Sequence, residues 1–255
     1  MIVSMSSVGG APGVSSWSLL LAAAWPPERA VDRIVVEADV DGGVAAARYG
    51  VGASPGVAQL LSAVRGGGDA PDDLSPFARH LGNRGWLVPG TESSESASAI
   101  WSAPGSATNA ATALQADARL WVLDVGRAGP AAPLAPVLRA SAAVVVLSRG
   151  DHASLVQLPS RIRALRDDGC APTIIGVSGP TSFPVGEIRE FCDAPVIDLP
   201  HDPHLPITAG AVWTSRRARR RAVWRQAVAT AASLDRELTA GAPSTTPTPE
   251  ASRAR

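Results

Sequence analysis

No lysine occurs anywhere in the 255 residues, so all 23 basic side chains are arginines. That absence excludes every mechanism that needs an ε-ammonium: Schiff bases, pyridoxal phosphate attachment, and the lysine grip of an ordinary P-loop. Only two cysteines are present, Cys170 and Cys192, too few for a disulfide framework and without metal-ligand spacing. A reducing, cytoplasmic setting is therefore expected. The formal net charge is +0 and charged residues make up 18%, which excludes a globally basic nucleic-acid binder and an acidic disordered chain. Long apolar runs are missing too. The most apolar segment, Trp17–Trp25, is far shorter than the roughly 18 residues a bilayer span requires. No arginine precedes it, since the first is Arg29, so it reads as a buried helix rather than a signal peptide or transmembrane segment.

What is present is a large apolar fraction, 45%, sufficient for a sizeable core. Short β-branched runs alternate with alanine-rich segments of helical length. Strands are expected at Ile2–Met5, Arg33–Ala38, Gly85–Pro89, Leu120–Val125, Ala142–Ser148, Thr173–Ser178 and Pro195–Leu199. Helices are expected at about Ser16–Trp25, Pro55–Val64, His152–Asp167 and Phe183–Cys192. Continuous apolar strands alternating with helices predict an α/β fold, a mostly parallel doubly wound sheet flanked by helices. Residues 1–240 form one domain on this reading. Thr91–Thr108, rich in Ser, Ala and Gly, reads as a loop or the start of a surface helix, and Gly241–Arg255 as a disordered Pro/Thr/Ser-rich tail.

Ligands of open parallel sheets bind beyond the carboxyl ends of the strands, so the turns there are the places to search. After the first strand comes Val8-Gly9-Gly10-Ala11-Pro12-Gly13-Val14-Ser15-Ser16, leading into a helix. Such a turn brings backbone N–H groups and a helix N-terminus toward an anion, and Ser15 can offer a hydroxyl to a metal. After the second strand, Glu37, Asp39 and Asp41 stand on a tight turn that suits a water-bound Mg²⁺, a positioned water, or simply a solvated bend. After the middle strand, Asp124 follows four apolar residues, as a buried ligand to Mg²⁺ would.

Taken in order, these segments resemble the ParA/MinD-type P-loop ATPases, whose loop reads roughly G-K-G-G-x-G-K-T. Gly13-Val14-Ser15 falls on its G-K-T and Gly9 on its signature lysine. Glu37-Ala38-Asp39 resembles the family's D-x-D turn, Asp124 its Walker B aspartate, and Leu199-Pro200-His201-Asp202-Pro203 the late loop beside the adenine. Ala142–Leu155 is similar to its strand and following Ser-Leu helix start. The resemblance runs over about residues 1–238. It implies ATP or ADP with Mg²⁺ as ligands, held by Gly9, Gly10, Ala11, Pro12, Gly13, Val14, Ser15, Ser16, Pro200 and Asp202. It also implies Ser15, Asp39 and Asp124 around the metal, with Asp39 positioning water.

The departures are equally specific. Val14 stands where the phosphate-gripping lysine is expected, Gly9 where the signature lysine is, Val8 at the first glycine, and Pro12 removes one N–H donor. Losing the cation typically costs on the order of 10³–10⁵ in phosphoryl-transfer rate. The resemblance thus implies a positioning or partition factor with weak or no ATP hydrolysis. Such a factor would work as a homodimer that recruits a larger protein machine, as the TadZ/CpaE-like localisation factors of pilus and secretion systems do. The alternatives are an active ATPase that segregates chromosomes or plasmids on DNA, and a nucleotide-free scaffold.

Trp213–Arg225 carries six arginines, and no acid occurs from Pro203 to Leu234. A helix starting near Ser215 would put Val223, Trp224, Ala227, Ala231, Leu234 and Leu238 on one apolar arc. Arg216, Arg217, Arg219, Arg220 and Arg221 then cluster at its N-terminal end, against the macrodipole, which points to an anionic partner: DNA backbone, an acidic membrane surface or an acidic protein. The same arginines also suit a plain solvated face. His80, His152, His201 and His204 form no metal set.

Overall fold

The computed structural model describes residues 1–10, 13–29, 31–65, 71, 73–82, 85–170 and 173–240. Ala11 and Pro12 of the glycine-rich turn, and the tail 241–255, lie outside the described residues. The elements in chain order are β1 (Ile2–Ser7), α1 (Val14–Ala24), β2 (Arg33–Glu37), α2 (Ala45–Tyr49), α3 (Val57–Val64), β3 (Arg79–Gly82), β4 (Gly85–Val88), α4 (Ser94–Ser102), α5 (Ser106–Ala116) and β5 (Leu120–Asp124). They continue with α6 (Ala135–Ala140), β6 (Ala143–Arg149), α7 (His152–Leu155), α8 (Leu158–Asp167), β7 (Thr173–Ser178), α9 (Val185–Cys192), β8 (Val196–Leu199), α10 (Leu205–Ala211) and α11 (Ala222–Ala240).

All eight strands join one sheet in the order β3-β4-β2-β5-β1-β6-β7-β8. Seven of them run parallel, and β3 alone pairs antiparallel, on β4 at the edge. The expected α/β doubly wound sheet is therefore the fold. Parallel strands must be buried on both faces, and the continuous Val/Ile/Leu runs of β1, β2, β5 and β6 are what such burial requires. One apolar layer lies under α3, α5, α8 and α9, the other under α1, α10 and α11. On α11 the stripe Val223, Ala227, Ala231 and Leu234 is buried as its spacing predicts, with Trp224 and Leu238 half-buried beside it.

Several segments differ from expectation. Thr91–Thr108 holds α4 and the start of α5: the Ser93 hydroxyl accepts the Ser96 N–H at 3.1 Å, and Ala97 and Trp101 turn into the core. The single helix expected over His152–Asp167 is two, α7 and α8, with Pro159 in the first turn of the second. The helix expected from Ser215 begins only at Ala222. Arg216–Arg221 instead form a turn and a short 3-10 segment, Ala218–Arg220, that precedes the helix. Two short helices, α6 and α10, escape a sequence reading because Pro136 and Pro206 look like breakers, yet both sit at first-turn positions where no N–H is missed. Among the described residues no helix is long and apolar enough to cross a membrane.

Candidate functional site

The strand order reverses around β1: its neighbours are β5 on one side and β6 on the other, each entered by a crossover. A crevice opens at such a switch point because the connecting segments leave in opposite directions. Here it is a cleft of about 580 Å³ at the carboxyl ends of β1, β2 and β5, reaching Gly13 and Ser15 on α1 and Pro206 on α10.

Its wall is the start of α1. Gly13 has φ +90, and a Cβ on it would lie 2.8 Å from a methyl of Leu205, so only glycine fits. Gly13 brings no capping side chain and the first turn holds no acid, so the opening N–H groups of this 11-residue helix are left for an anion. By contrast, a Cβ on Gly9 or Gly10 would meet nothing within 4 Å. Val14, which the resemblance aligns with the P-loop lysine, is packed into the apolar layer beneath α1 and also borders the cleft.

The floor is Asp124, which is 3% exposed. Its Oδ1 accepts the Gly126 N–H at 3.1 Å, and its carboxyl group also accepts a bond from the Ser15 hydroxyl. Burial, reinforced by the Asp39 and Glu37 carboxylates, pushes its pKa up to about 7 despite those two bonds. Asp39 is half-buried, and burial raises its pKa as well, against the Asp41 N–H that its carboxylate accepts. The Asp39 side chain lies directly against Gly126, where any Cβ would collide with the carboxylate. Asp39, Asp124 and Ser15 thus share one cleft, as the sequence reading placed them.

The other carboxylates of the turn are spent elsewhere. Glu37 is buried, with Oε1 accepting the Val44 and Ala45 N–H groups at 2.9 and 2.7 Å and Oε2 accepting Gly90 N–H at 3.1 Å. It ties β2 to the start of α2 and to the loop after β4. Asp41 pairs with Arg127 at 2.7 Å on the surface.

Two carboxylates and a hydroxyl, all hard oxygens, suit Mg²⁺, which keeps waters and takes only one or two protein carboxylates. A buried aspartate whose pKa is raised chiefly by burial is a position where a dication can replace the proton. Among the described residues no three His, Cys, Asp or Glu are arranged to hold a metal unaided, so phosphate and water oxygens would complete the shell.

A second recess of about 450 Å³ shares Gly13, Ser16 and Pro206 with the first and continues past β6, β7 and β8 to Asp151, Gly179 and Asp202. Pro200, half-buried after β8, stands outside its lining. The Asp202 carboxylate accepts the His204 N–H at 2.8 Å, the Thr208 hydroxyl at 3.3 Å, and Arg221 at 2.9 and 3.0 Å. Burial would raise its pKa, but these bonds outweigh it and hold the carboxyl below the usual range.

The arginine turn is thereby divided. Arg221 is engaged with Asp202, and Arg219 donates to the Val212 carbonyl at 2.8 Å while lying 5.5 Å from the Trp224 ring centroid. Arg216, Arg217 and Arg220 are exposed and make no ion pair among the described residues. Two residues that sequence reasoning passed over also line the first cleft, Arg48 on α2 and Arg127 after β5. No local signal marks Arg48, because its place depends on how α2 docks.

No protein-family model and no curated protein matches the sequence. Solved structures do share the fold. A ParA family ATPase from Chlorobium tepidum TLS superposes with a TM-score of 0.73 at 15% identity, over 91% of this chain and 98% of that one. The septum site-determining protein MinD of Pyrococcus horikoshii OT3, complexed with Mg-ADP, gives 0.70 at 16% identity over 94% and 97%. A putative plasmid partition protein of Borrelia burgdorferi B31 bound to AMPPNP gives 0.67 at 10% identity over 92% and 98%. The fold is the one these ParA and MinD structures share.

Proposed function

We propose that this chain is a ParA/MinD-like nucleotide-binding positioning or partition factor in which occupancy, more than turnover, carries the signal. The observation that supports this most is the pairing of an acid-free, uncapped α1 N-terminus with the half-buried Ser15 bonded to the buried Asp124 in one cleft. The β- and γ-phosphates of ATP would lie on the opening N–H groups of α1. Ser15 and Asp124 would hold Mg²⁺, and the base would extend along the recess toward Asp202. When bound, Mg²⁺ supplies charge neutralisation across the phosphates. Asp124 and Asp39 would orient that ion and its waters, and Asp39, beside Gly126 in the cleft, would align an attacking water. With Val14 buried at the lysine position, weak or no hydrolysis follows.

A face-to-face homodimer that recruits a pilus, secretion or division machine is the corresponding biological role. The exposed Arg216, Arg217 and Arg220 favour one elaboration, contact with the phosphate backbone of DNA. Replacing all three by Gln should abolish DNA retention at low salt; unchanged retention would remove that elaboration.

Trp17, buried on the second turn position of α1 with its ring 3.6 Å from a Cβ placed on Gly13, should report nucleotide binding by fluorescence. Addition of Mg·ATP should change the emission of the wild type but not of Trp17→Phe. No change in either protein up to millimolar nucleotide would leave only the scaffold reading.

A further inference from the structure

A nucleoside triphosphate brings several negative charges into a cleft that already contains Asp39 and Asp124. The chain has no lysine to balance them, and Val14, where it borders the cleft, brings no charge. The cleft lining contains two cations. Arg127 donates to the Asp41 carboxylate at 2.7 Å and is engaged. Arg48 is exposed, and no carboxylate lies within ion-pair distance of it among the described residues.

Arg48 is nonetheless held in place. Glu37 fixes the start of α2 through the Val44 and Ala45 N–H groups. The far end is fixed by Tyr49, whose hydroxyl donates to the Pro206 carbonyl at 3.1 Å and also bonds with Arg48. The Tyr49 ring lies flush on Gly210 of α10, where a Cβ would fall 2.5 Å from it. A five-residue helix is thus clamped at both ends, with its one arginine in the lining of the cleft and of the neighbouring recess beside Leu81 and Trp213. A guanidinium fork suits phosphate oxygens better than an ammonium does, because its donors are planar and can bind in pairs.

We propose that Arg48 is the phosphate-binding cation of this cleft, taking from α2 the role that an α1 lysine would otherwise fill for a nucleoside polyphosphate. The inference rests on the nucleotide reading above. It differs in naming a residue on the opposite wall, so the ligand would be gripped between α1 and α2.

The test is calorimetric titration of the full chain with Mg·ATP, comparing wild type, Arg48→Gln, Arg48→Lys and, as a control outside the cleft, Arg189→Gln. Arg48→Gln should bind at least tenfold more weakly, Arg48→Lys should recover part of the loss, and Arg189→Gln should match the wild type. Melting temperatures equal to the wild type would show that Arg48 acts on the ligand and not on the fold. If the wild type binds Mg·ATP and Arg48→Gln binds as tightly, the role of Arg48 is refuted while the nucleotide reading stands. If the wild type does not bind at all, both fall.

Discussion

Replacing Asp124 by Asn should stabilise the metal-free protein, and by an amount that depends on pH. Asp124 is buried beneath α1, with Asp39 and Glu37 nearby, and its folded pKa of about 7 stands well above the ordinary aspartate value of 3.8. Between those values the folded protein binds more protons than the unfolded chain, so stability falls as pH rises through the window. Two pH units below a pKa of 7 are worth about 2.7 kcal/mol at 1.36 kcal/mol per unit. Asn removes the charge but keeps an oxygen for the Gly126 N–H, and its amide can donate to Ser15. From pH 5 to pH 8 the wild type should therefore lose roughly 2.6 kcal/mol relative to Asp124→Asn, apart from the titrations common to both proteins. Urea unfolding with EDTA at half-unit pH steps measures this directly. A difference between the two proteins that stays flat with pH would refute the reasoning, since an ionising buried carboxylate is its only source. A variant that gains stability by losing a cleft residue is also what a site built for a cation should show.

Other changes should report on the supports of the same cleft. Gly13→Ala meets both a left-handed backbone and the Leu205 methyl, so it should cost about 1–3 kcal/mol in thermal unfolding. Glu37→Gln loses the charge that accepts three backbone N–H groups, and should cost about 1.5–3 kcal/mol while also loosening α2. Mg²⁺ at pH 8 should raise the melting temperature of the wild type and leave Asp124→Asn unmoved, in a titration followed by calorimetry.

The strands were legible because a two-faced parallel sheet demands unbroken β-branched runs, and Ile34–Val36 and Val144–Val146 are such runs. The grouping of Ser15, Asp39 and Asp124 was legible for the same reason: each follows a recognisable strand of the sheet centre. What stayed hidden depends on contacts remote in sequence. Tyr49 reaches Pro206 across 157 positions, and Glu37 fixes the other end of α2, so Arg48 is placed at the cleft by contacts that no local pattern shows. The helix α10 hid behind Pro203 and Pro206, residues that read as loop until Pro206 is seen in a first turn. The arginine turn reads as helix in the sequence because Arg216 and Arg220 fall on the same helical arc as Val223, Ala227 and Ala231, although the chain enters α11 only after a 3-10 turn.

The most direct measurement is a crystal structure of the full chain grown with Mg²⁺ and AMPPNP. The triphosphate should lie across the first turn of α1, with the metal about 2.1 Å from the Ser15 hydroxyl oxygen and Asp124 on or one water from it. A cleft containing only solvent at millimolar analogue, with Ser15 still bonded to Asp124, would contradict the account.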